Sequence, residues 1–168
     1  MTKSWKAAGL GAAMTVCGST AEAQPVTRLP VDNPSISIAQ AVTVPPGYTT
    51  FYISGTPAAP TDPKAPVGSP QRWGATPEQT ASSLNLLEAT LTKLGLTFGD
   101  VVKATVFLTG DPAKNGDLDF AGMNREWAKR FGTSAQPNRP ARSTVKVAGL
   151  ATPGAIVEIE MVAVKKLP

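Results

Sequence analysis

The last predicted strand of this sequence carries the first candidates for chemistry. Residues 155–164 alternate so that Val157, Ile159 and Met161 share one face, while Glu158 and Glu160 point to the other. Alternate residues of a strand lie roughly 7 Å apart, so the two carboxylates are close neighbours. Carboxylates can move protons or orient water, and they are the acidic groups that this strand offers.

The face that carries these carboxylates is otherwise apolar. It also holds Ile156, Val162 and Val164, which would be exposed to water if the face were simply solvated. A large exposed apolar patch usually marks an interface. The pattern therefore predicts that this face meets another subunit and leaves polar groups at a half-buried seam.

A polar row occupies one face of the preceding predicted strand, at Arg142, Thr144 and Lys146. If the two strands formed a hairpin, this row would lie beside Glu158 and Glu160. Ordinary cross-strand ion pairing, for instance between Lys146 and a glutamate, is the favoured interpretation from these residues alone. A binding site is the alternative.

Asn124 is a polar residue in an apolar helical stripe. At 100° per residue it falls among Phe120, Trp127 and Phe131, so it should face inward. An inward amide needs hydrogen-bond partners. It could bond to the backbone of a loop, or it could reach a ligand.

The residue types that are missing exclude several kinds of catalysis. The chain has no histidine, and Cys17 is its single cysteine. Ser-His-Asp triads, Cys-His dyads and His- or Cys-ligated metal sites are therefore excluded. The formal net charge of +4 comes without a run of basic residues, which is weak evidence for nucleic-acid binding.

Two amphipathic helices and several strands must position these candidates. Thr76 as N-cap, with Gln79 completing a capping box, predicts the start of the first helix, and Gly95 predicts its end. A leucine stripe gives it one apolar face, and a second helix is predicted over residues 117–131. The stripe consists of Leu84, Leu87, Leu91 and Leu94.

The remaining segments alternate or break in ways that predict strands and loops. Strands are predicted over residues 35–44, 49–54, 101–109, 142–147 and 155–164. Five prolines between residues 56 and 70 predict a long surface loop. The order β-β-α-β-α-β-β favours a two-layer α+β domain over residues 35–168, with about five or six strands and both helices on one face.

The first 23 residues have the three parts of a secretory signal peptide. A basic start is followed by a short apolar stretch and by Ala21-Glu22-Ala23, an A-x-A cleavage pattern before Gln24. A disordered tail is the alternative, and bulky Val16 before Cys17 argues against a lipoprotein. We therefore expect a periplasmic or secreted protein that begins with an extended lead-in segment, residues 24–34.

Several segments resemble the Rid (YjgF-type) family of imine/enamine deaminases, and they occur in the family's order. The C-terminal signature is the most specific: residues 140–147 read PARSTVKV, and residues 157–161 read VEIEM. Residues 100–108, 120–124 and 53–55 (DVVKATVFL, FAGMN and ISG) are similar to the family's central strand, second helix and early strand end. The similarity covers about residues 35–166.

The resemblance implies a chorismate-mutase-like α+β fold, a homotrimer and sites in the clefts between subunits. It implies hydrolysis of 2-imino or 2-enamino acids to 2-oxo acids and ammonia, without a cofactor or a metal. Matching positions imply that Arg142 binds the substrate carboxylate and that Glu158 positions or activates the attacking water. They imply further pocket contacts from Ser54, Gly55, Asn124 and Thr144.

The sequence departs from the family at two pocket positions. Thr144 stands where deaminating members usually have cysteine, and Ile38 stands where many have tyrosine. Two classes of function remain: a deaminase, and a non-catalytic protein that binds small carboxylates in the same cleft. Neither nucleic acid nor, after signal cleavage, a membrane is an expected partner.

Overall fold

The computed structural model describes residues 24–33 and 35–166, so the predicted signal peptide and Cys17 lie outside the described residues. Six strands form one sheet, and the helices α1, α2 and α3 are interspersed between them along the chain. The strands are β1 (Thr27–Pro30), β2 (Ala39–Thr43), β3 (Thr49–Pro57), β4 (Val101–Leu108), β5 (Ala141–Lys146) and β6 (Val157–Lys165). The helices are α1 (Pro70–Trp73), α2 (Thr76–Lys93) and α3 (Phe120–Ala128).

The sheet is mixed, with the spatial order β1-β2-β5-β4-β6-β3. The pairs β2–β5 and β5–β4 are parallel. The pairs β1–β2, β4–β6 and β6–β3 are antiparallel. One face of the sheet carries α2 and α3. The predicted two-layer α+β architecture is therefore confirmed.

The core lies between the helices and this face of the sheet. Leu84, Leu87 and Leu91 of α2 are fully buried, as are Met123 and Trp127 of α3 to within 1%. They pack against the central strands. The core residues of those strands are Ala104, Val106 and Leu108 of β4 and Val157, Ile159 and Met161 of β6.

The expected hairpin between the last two strands is wrong. Strand β4 lies between β5 and β6, so the chain from Lys146 to Val157 crosses over β4 instead of turning back. Parallel pairing of β5 with β4 requires such a crossover. The row at Arg142, Thr144 and Lys146 therefore does not lie beside Glu158.

The apolar face of β6 is partly covered by the chain itself. Ile156 is 7% exposed and belongs to the core, and Val164 is 4% exposed, so neither needs another subunit to shield it. The face of the sheet that points away from α2 and α3 is called the free face below. It carries two large exposed side chains, Tyr52 at 84% and Val145 at 39%. An interface on this face would therefore cover Tyr52 and Val145, and Ile156 and Val164 are already covered within the chain.

Helix α2 begins one residue earlier than the predicted capping box requires, at Thr76 instead of Pro77. Ala75 is the N-cap, and Glu78 accepts a hydrogen bond from its backbone N–H at 3.1 Å. Gln79 turns into the interior instead and accepts from the backbone N–H of Ile156 at 2.8 Å. At the other end Gly95 has the predicted left-handed φ of 70°, and Leu94 is left 45% exposed just after the helix.

A carboxylate from a distant loop anchors the start of α2. Asp111, 1% exposed, accepts hydrogen bonds from the backbone N–H and the hydroxyl of Thr76 at 2.8 and 2.7 Å. Burial alone would raise the pKa of this carboxyl. The hydrogen bonds from Thr76 and Ala113, together with the Lys114 charge, outweigh burial and hold the pKa below its usual value.

We expect Asp111→Ala to lower the free energy of unfolding by about 2–3 kcal/mol, because it removes charge-assisted hydrogen bonds at a buried helix start. The folded pKa is depressed, so this contribution is present above the unfolded pKa and is lost as pH falls through the folded value. Urea melts should show the difference from wild type shrinking from pH 5 to pH 3. Exposed Asp117→Ala is the control, and a difference independent of pH would contradict this account.

Candidate functional site

Strand β5 directs Arg142 toward the helices. Arg142 pairs with Ala104, and Thr144 pairs with Val106, and both partners lie in the core under α2 and α3. Paired residues of adjacent strands point to the same face, so Arg142 and Thr144 face the helical layer. The predicted second helix is shorter than expected, with Asp119 as its N-cap, and its side chains contact Arg142.

Three side chains of α3 hold the guanidinium of Arg142. Its Nη2 donates a hydrogen bond to Oδ1 of Asn124 at 2.7 Å, and Nη1 lies 3.7 Å from Sδ of Met123. The guanidinium carbon lies 4.7 Å from the centre of the Trp127 ring, a distance typical of a cation–π contact. The sequence left two uses open for Asn124, a bond to a loop backbone or contact with a ligand. Its amide oxygen accepts from Arg142, and its side chain lines the adjoining cavity, where it could also reach a ligand.

The charge of Arg142 is largely unbalanced within the described part of the chain. Burial lowers the pKa of the guanidinium to about 10, which leaves it protonated at neutral pH. No ion pair joins it to a carboxylate among the described residues. A half-buried cation held on one face and one edge offers its remaining donors to an anion, and a carboxylate matches their geometry.

Thr144 adds a second polar group beside Arg142. Its Oγ1 is buried and has no hydrogen-bond partner among the described residues. A buried hydroxyl without a partner is costly, and it is a feature often found at binding sites. Arg142, Asn124 and Thr144 together are called the arginine half-site below.

A cavity of about 300 Å³ opens beside Arg142 and Asn124. Residues 35–38 form one wall, and Phe120 and Ala128 of α3 form the other. The first wall was predicted to be strand, but only residues from Ala39 onward pair in the sheet. A side chain bonds to the backbone of this wall instead of a neighbouring strand: Trp127 Nε1 donates to the carbonyl of Ser37 at 2.8 Å.

A β-bulge in β3 makes room for Glu158, the second predicted catalytic residue. The β3–β6 register runs from Ile53–Met161 to Thr56–Ile159, so Ser54 and Gly55 form an extra step opposite Glu160. A side chain at position 55 would collide with Oε1 of Glu158. Glycine therefore makes room for this carboxylate, and Ser54, Gly55 and Glu158 are called the glutamate half-site below.

The two half-sites lie on opposite faces of the sheet. Glu158 pairs with Phe107, which alternates with the core residues Val106 and Leu108 and so faces away from the helices. Arg142 faces toward them. Arg142 and Glu158 of one chain therefore cannot meet across a common ligand.

Sequence reasoning missed two contributors to the arginine half-site. Trp127 and Met123 looked like ordinary core residues of an amphipathic stripe, and only their contact with Arg142 distinguishes them. The one available signal was the indole N–H of a buried tryptophan, which requires an acceptor. The alternation of residues 35–38 is that of a strand and gave no signal of a cavity wall; only the comparison with the family had singled out Ile38.

The proline-rich loop leaves the sheet at the glutamate half-site. The loop was predicted to begin at Thr56, but β3 continues to Pro57, which pairs with Glu158, so the loop begins at Ala58. The loop is tethered to α1, since the Arg72 guanidinium donates to the carbonyls of Pro63 and Ala65, at 2.9 Å for Ala65. It is thus an ordered border of the region that holds Glu158.

We expect that shortening this loop between Asp62 and Gly68 will alter substrate preference more than stability, because loops on rigid scaffolds control access. The ratio of kcat/KM between a small and a large substrate should change by about fivefold or more, equivalent to ~1 kcal/mol. The melting temperature should fall by less than about 4 °C. An unchanged ratio with a large loss of stability would show that the loop is only structural.

The described residues contain neither a cluster of three or more His, Cys, Asp or Glu side chains suited to a metal nor a helix long and apolar enough to cross a membrane.

A family model described as "Endoribonuclease L-PSP" matches residues 37–165, most of the chain. The chain therefore belongs to the Rid (YjgF-type) family, as its sequence predicted. A "RutC family protein" of Haemophilus influenzae is 43% identical over 89 residues. The Escherichia coli protein named "Putative reactive intermediate deaminase TdcF" is 38% identical over 89 residues. Each match covers 52% of this chain and 62% of the relative, so this chain spans less than two thirds of the length of either relative.

Solved structures share the fold over a longer span. A Thermotoga maritima protein described as a "putative endoribonuclease" is 30% identical, with a TM-score of 0.54, over 84% of this chain and 99% of that one. The Rid family protein YyfB of Yersinia pestis has a TM-score of 0.57 at 22% identity, covering 77% of this chain and 87% of that one. The second likeness concerns the fold alone.

Proposed function

We propose that the protein hydrolyses reactive 2-imino or 2-enamino acids to 2-oxo acids and ammonia. The observation that carries this proposal is the protonated, half-buried guanidinium of Arg142, which has no carboxylate partner among the described residues. A substrate carboxylate would balance that charge and accept two parallel hydrogen bonds from the fork. The name of the Escherichia coli relative, with its reference to a reactive intermediate deaminase, supports the same class of reaction.

Glu158 would supply the acid–base chemistry. Its carboxylate accepts a proton from water as the water oxygen attacks the C=N carbon, and it returns that proton to the nitrogen to give a carbinolamine. The carboxylate then passes the hydroxyl proton to the nitrogen as the C–N bond breaks, so ammonia leaves, the C=O bond forms and Glu158 is regenerated. One water is consumed, and the carbon ends as the carbonyl of a 2-oxo acid, so the reaction needs neither an oxidant nor a cofactor. Gly55 borders this carboxylate and leaves the space in which it sits, and Ser54 precedes it in the same bulge.

A complete site would form between two subunits of a homotrimer. The half-sites face opposite sides of one sheet, so each Arg142 would work with the Glu158 of a neighbouring chain. The exposed side chains of Tyr52 and Val145 lie on the free face, the same face as Glu158. Covering them would bring the glutamate half-site against another subunit.

We expect light scattering to give three times the 17.4 kDa mass of the full chain, less any cleaved leader. Tyr52→Asp should dissociate the trimer, because it would bury an unpaired charge at the interface. Val67→Asp, at an exposed position outside the sheet, is the matched control. A monomeric wild type, or a Tyr52→Asp variant that stays trimeric, would contradict the proposed interface.

A carboxylate-binding protein without turnover is the second candidate. One observation favours it: the arginine half-site and its cavity are complete within one chain, whereas Glu158 lies on the other face. Free imino acids hydrolyse in water unaided. If the protein is exported, as we propose from its leader, it is also separated from cytosolic enzymes that release them.

Ammonia release from freshly generated imines distinguishes the two candidates. Imines made from a panel of amino acids by an amino acid oxidase should hydrolyse faster with wild-type protein than with Arg142→Ala. No acceleration, together with tight binding of 2-oxo acids, would favour the binding protein. A parallel incubation with single-stranded RNA tests the activity in the family description; we expect no cleavage.

A further inference from the structure

The cavity beside Arg142 is charged at one end and apolar along its walls. Arg142 and Asn124 form the polar end, and Ile36, Ile38, Phe120 and Ala128 provide the apolar lining. Two serines complete the lining, and it contains no carboxylate and no second cation. Its volume of about 300 Å³ is within the usual range for small-molecule sites.

Two of the apolar lining residues are exposed in spite of their size. Ile36 is 41% exposed and Phe120 is 48% exposed. They come from different elements, residues 35–38 and α3, and both border the cavity that contains the guanidinium. A ligand that placed its carboxylate on Arg142 and its hydrocarbon part along this lining would cover them.

The apolar wall is held in place by the same residue that supports the cation. Trp127 lies beneath the Arg142 guanidinium, and its Nε1 donates to the carbonyl of Ser37 in the wall at 2.8 Å. Arg139 Nη1 donates to the carbonyl of Ile36 at 3.2 Å, and the backbone N–H of Ala39 donates to the carbonyl of Pro140 at 2.9 Å. The spacing between cation and wall is therefore set before a ligand arrives, which reduces the ordering cost of binding.

We propose that the site selects 2-oxo and 2-imino acids with branched aliphatic or aromatic side chains, with Ile36 and Phe120 as specificity-determining residues. The inference rests on the proposed function, since it assumes that Arg142 receives the carboxylate. A ligand with a second carboxylate is disfavoured, because that group would lose water against apolar side chains without gaining a cation. A two-carbon side chain leaves most of the lining uncovered.

Calorimetric titration with three 2-oxo acids tests the selectivity directly. We expect 4-methyl-2-oxopentanoate to bind about tenfold more tightly than 2-oxobutanoate, since each extra buried carbon strengthens binding by up to roughly fourfold. 2-Oxoglutarate, which has a side chain of similar length but charged, should bind at least tenfold more weakly than 4-methyl-2-oxopentanoate. Ile36→Ser and Phe120→Ser should each reduce the first ratio to about threefold or less.

Both substitutions replace exposed side chains, so neither is expected to unfold the protein. Leu86→Ser, at 40% exposure on α2, is the matched control and should leave both ratios unchanged. If all three acids bind within threefold of one another, the proposed selectivity is wrong while the carboxylate site stands. If none binds, both the selectivity and the proposed function are overturned.

Discussion

Replacing Arg142 with alanine should weaken binding of 2-oxo acids by about ten- to a hundredfold, the loss of a charge-assisted contact worth roughly 1.5–3 kcal/mol. Arg142→Met should give a similar loss, because it keeps an unbranched chain over Trp127 but removes the charge. Titration with 2-oxobutanoate measures the effect. Arg130→Ala is the control, since Arg130 contacts Asn85 and Glu88 away from the cavity.

Melting curves of the same variants separate a ligand role from a structural one. Burial of Arg142 is not balanced by an ion pair among the described residues, so its removal should cost little stability. We expect the melting temperature of Arg142→Met to change by less than about 4 °C, which corresponds to ~1 kcal/mol. A large loss of stability with unchanged affinity would show that the arginine serves the fold and that the proposed site is wrong.

Glu158→Gln should lower turnover by about 10²- to 10⁴-fold, the usual contribution of a positioned acid–base group, while the affinity for 2-oxo acids stays within about threefold. The amide keeps the size of the side chain beside Gly55 but cannot accept a proton from water. Initial rates of ammonia release measure turnover. Glu160→Gln is a closely matched control, two residues along the same face and exposed.

Co-expression of Arg142→Ala chains with Glu158→Gln chains tests whether the site is shared between subunits. Each variant alone should be inactive. With equal expression and random assembly, about one interface in three of each mixed trimer, or about one in four of the whole population, would combine an intact Arg142 with an intact Glu158 of its neighbour, so about a quarter of wild-type activity should return. No recovery in trimers shown to be mixed would mean that the two residues do not cooperate across an interface.

The local elements could be predicted well because short-range rules control them. The leucine stripe and Gly95 placed α2, and the alternation of residues 101–109 and 155–164 placed β4 and β6, within one or two residues at most ends. The errors arose where a distant group intervened. Asp111 binds the start of α2, and Trp127 and Arg139 bond to the carbonyls of residues 36 and 37, which the sequence had assigned to a strand.

The pairing of strands could not be predicted in the same way. Arg142–Lys146 and Val157–Lys165 are neighbours in sequence, and a hairpin was the simplest connection between them. The structure inserts β4 between them, since a parallel β4–β5 pair buries the apolar face of β4 under both helices. Alternation tells which residues share a face of one strand, but not which strand lies beside it.

The sequence by itself determined the chemistry that is available. Without histidine, and with its one cysteine in the predicted signal peptide, the chain has to rely on groups such as Arg142 and Glu158, and its C-terminal signature indicates the family to which it belongs. Only the tertiary structure decided where those groups lie: Arg142 on Trp127 and Asn124 under the helices, and Glu158 in the space left by Gly55 on the opposite face. The physical reason is that residue types fix acidity, charge and hydrogen-bonding capacity locally, whereas the face and the neighbours of a side chain depend on strand order. Strand order is set by burial of apolar surface across the whole domain.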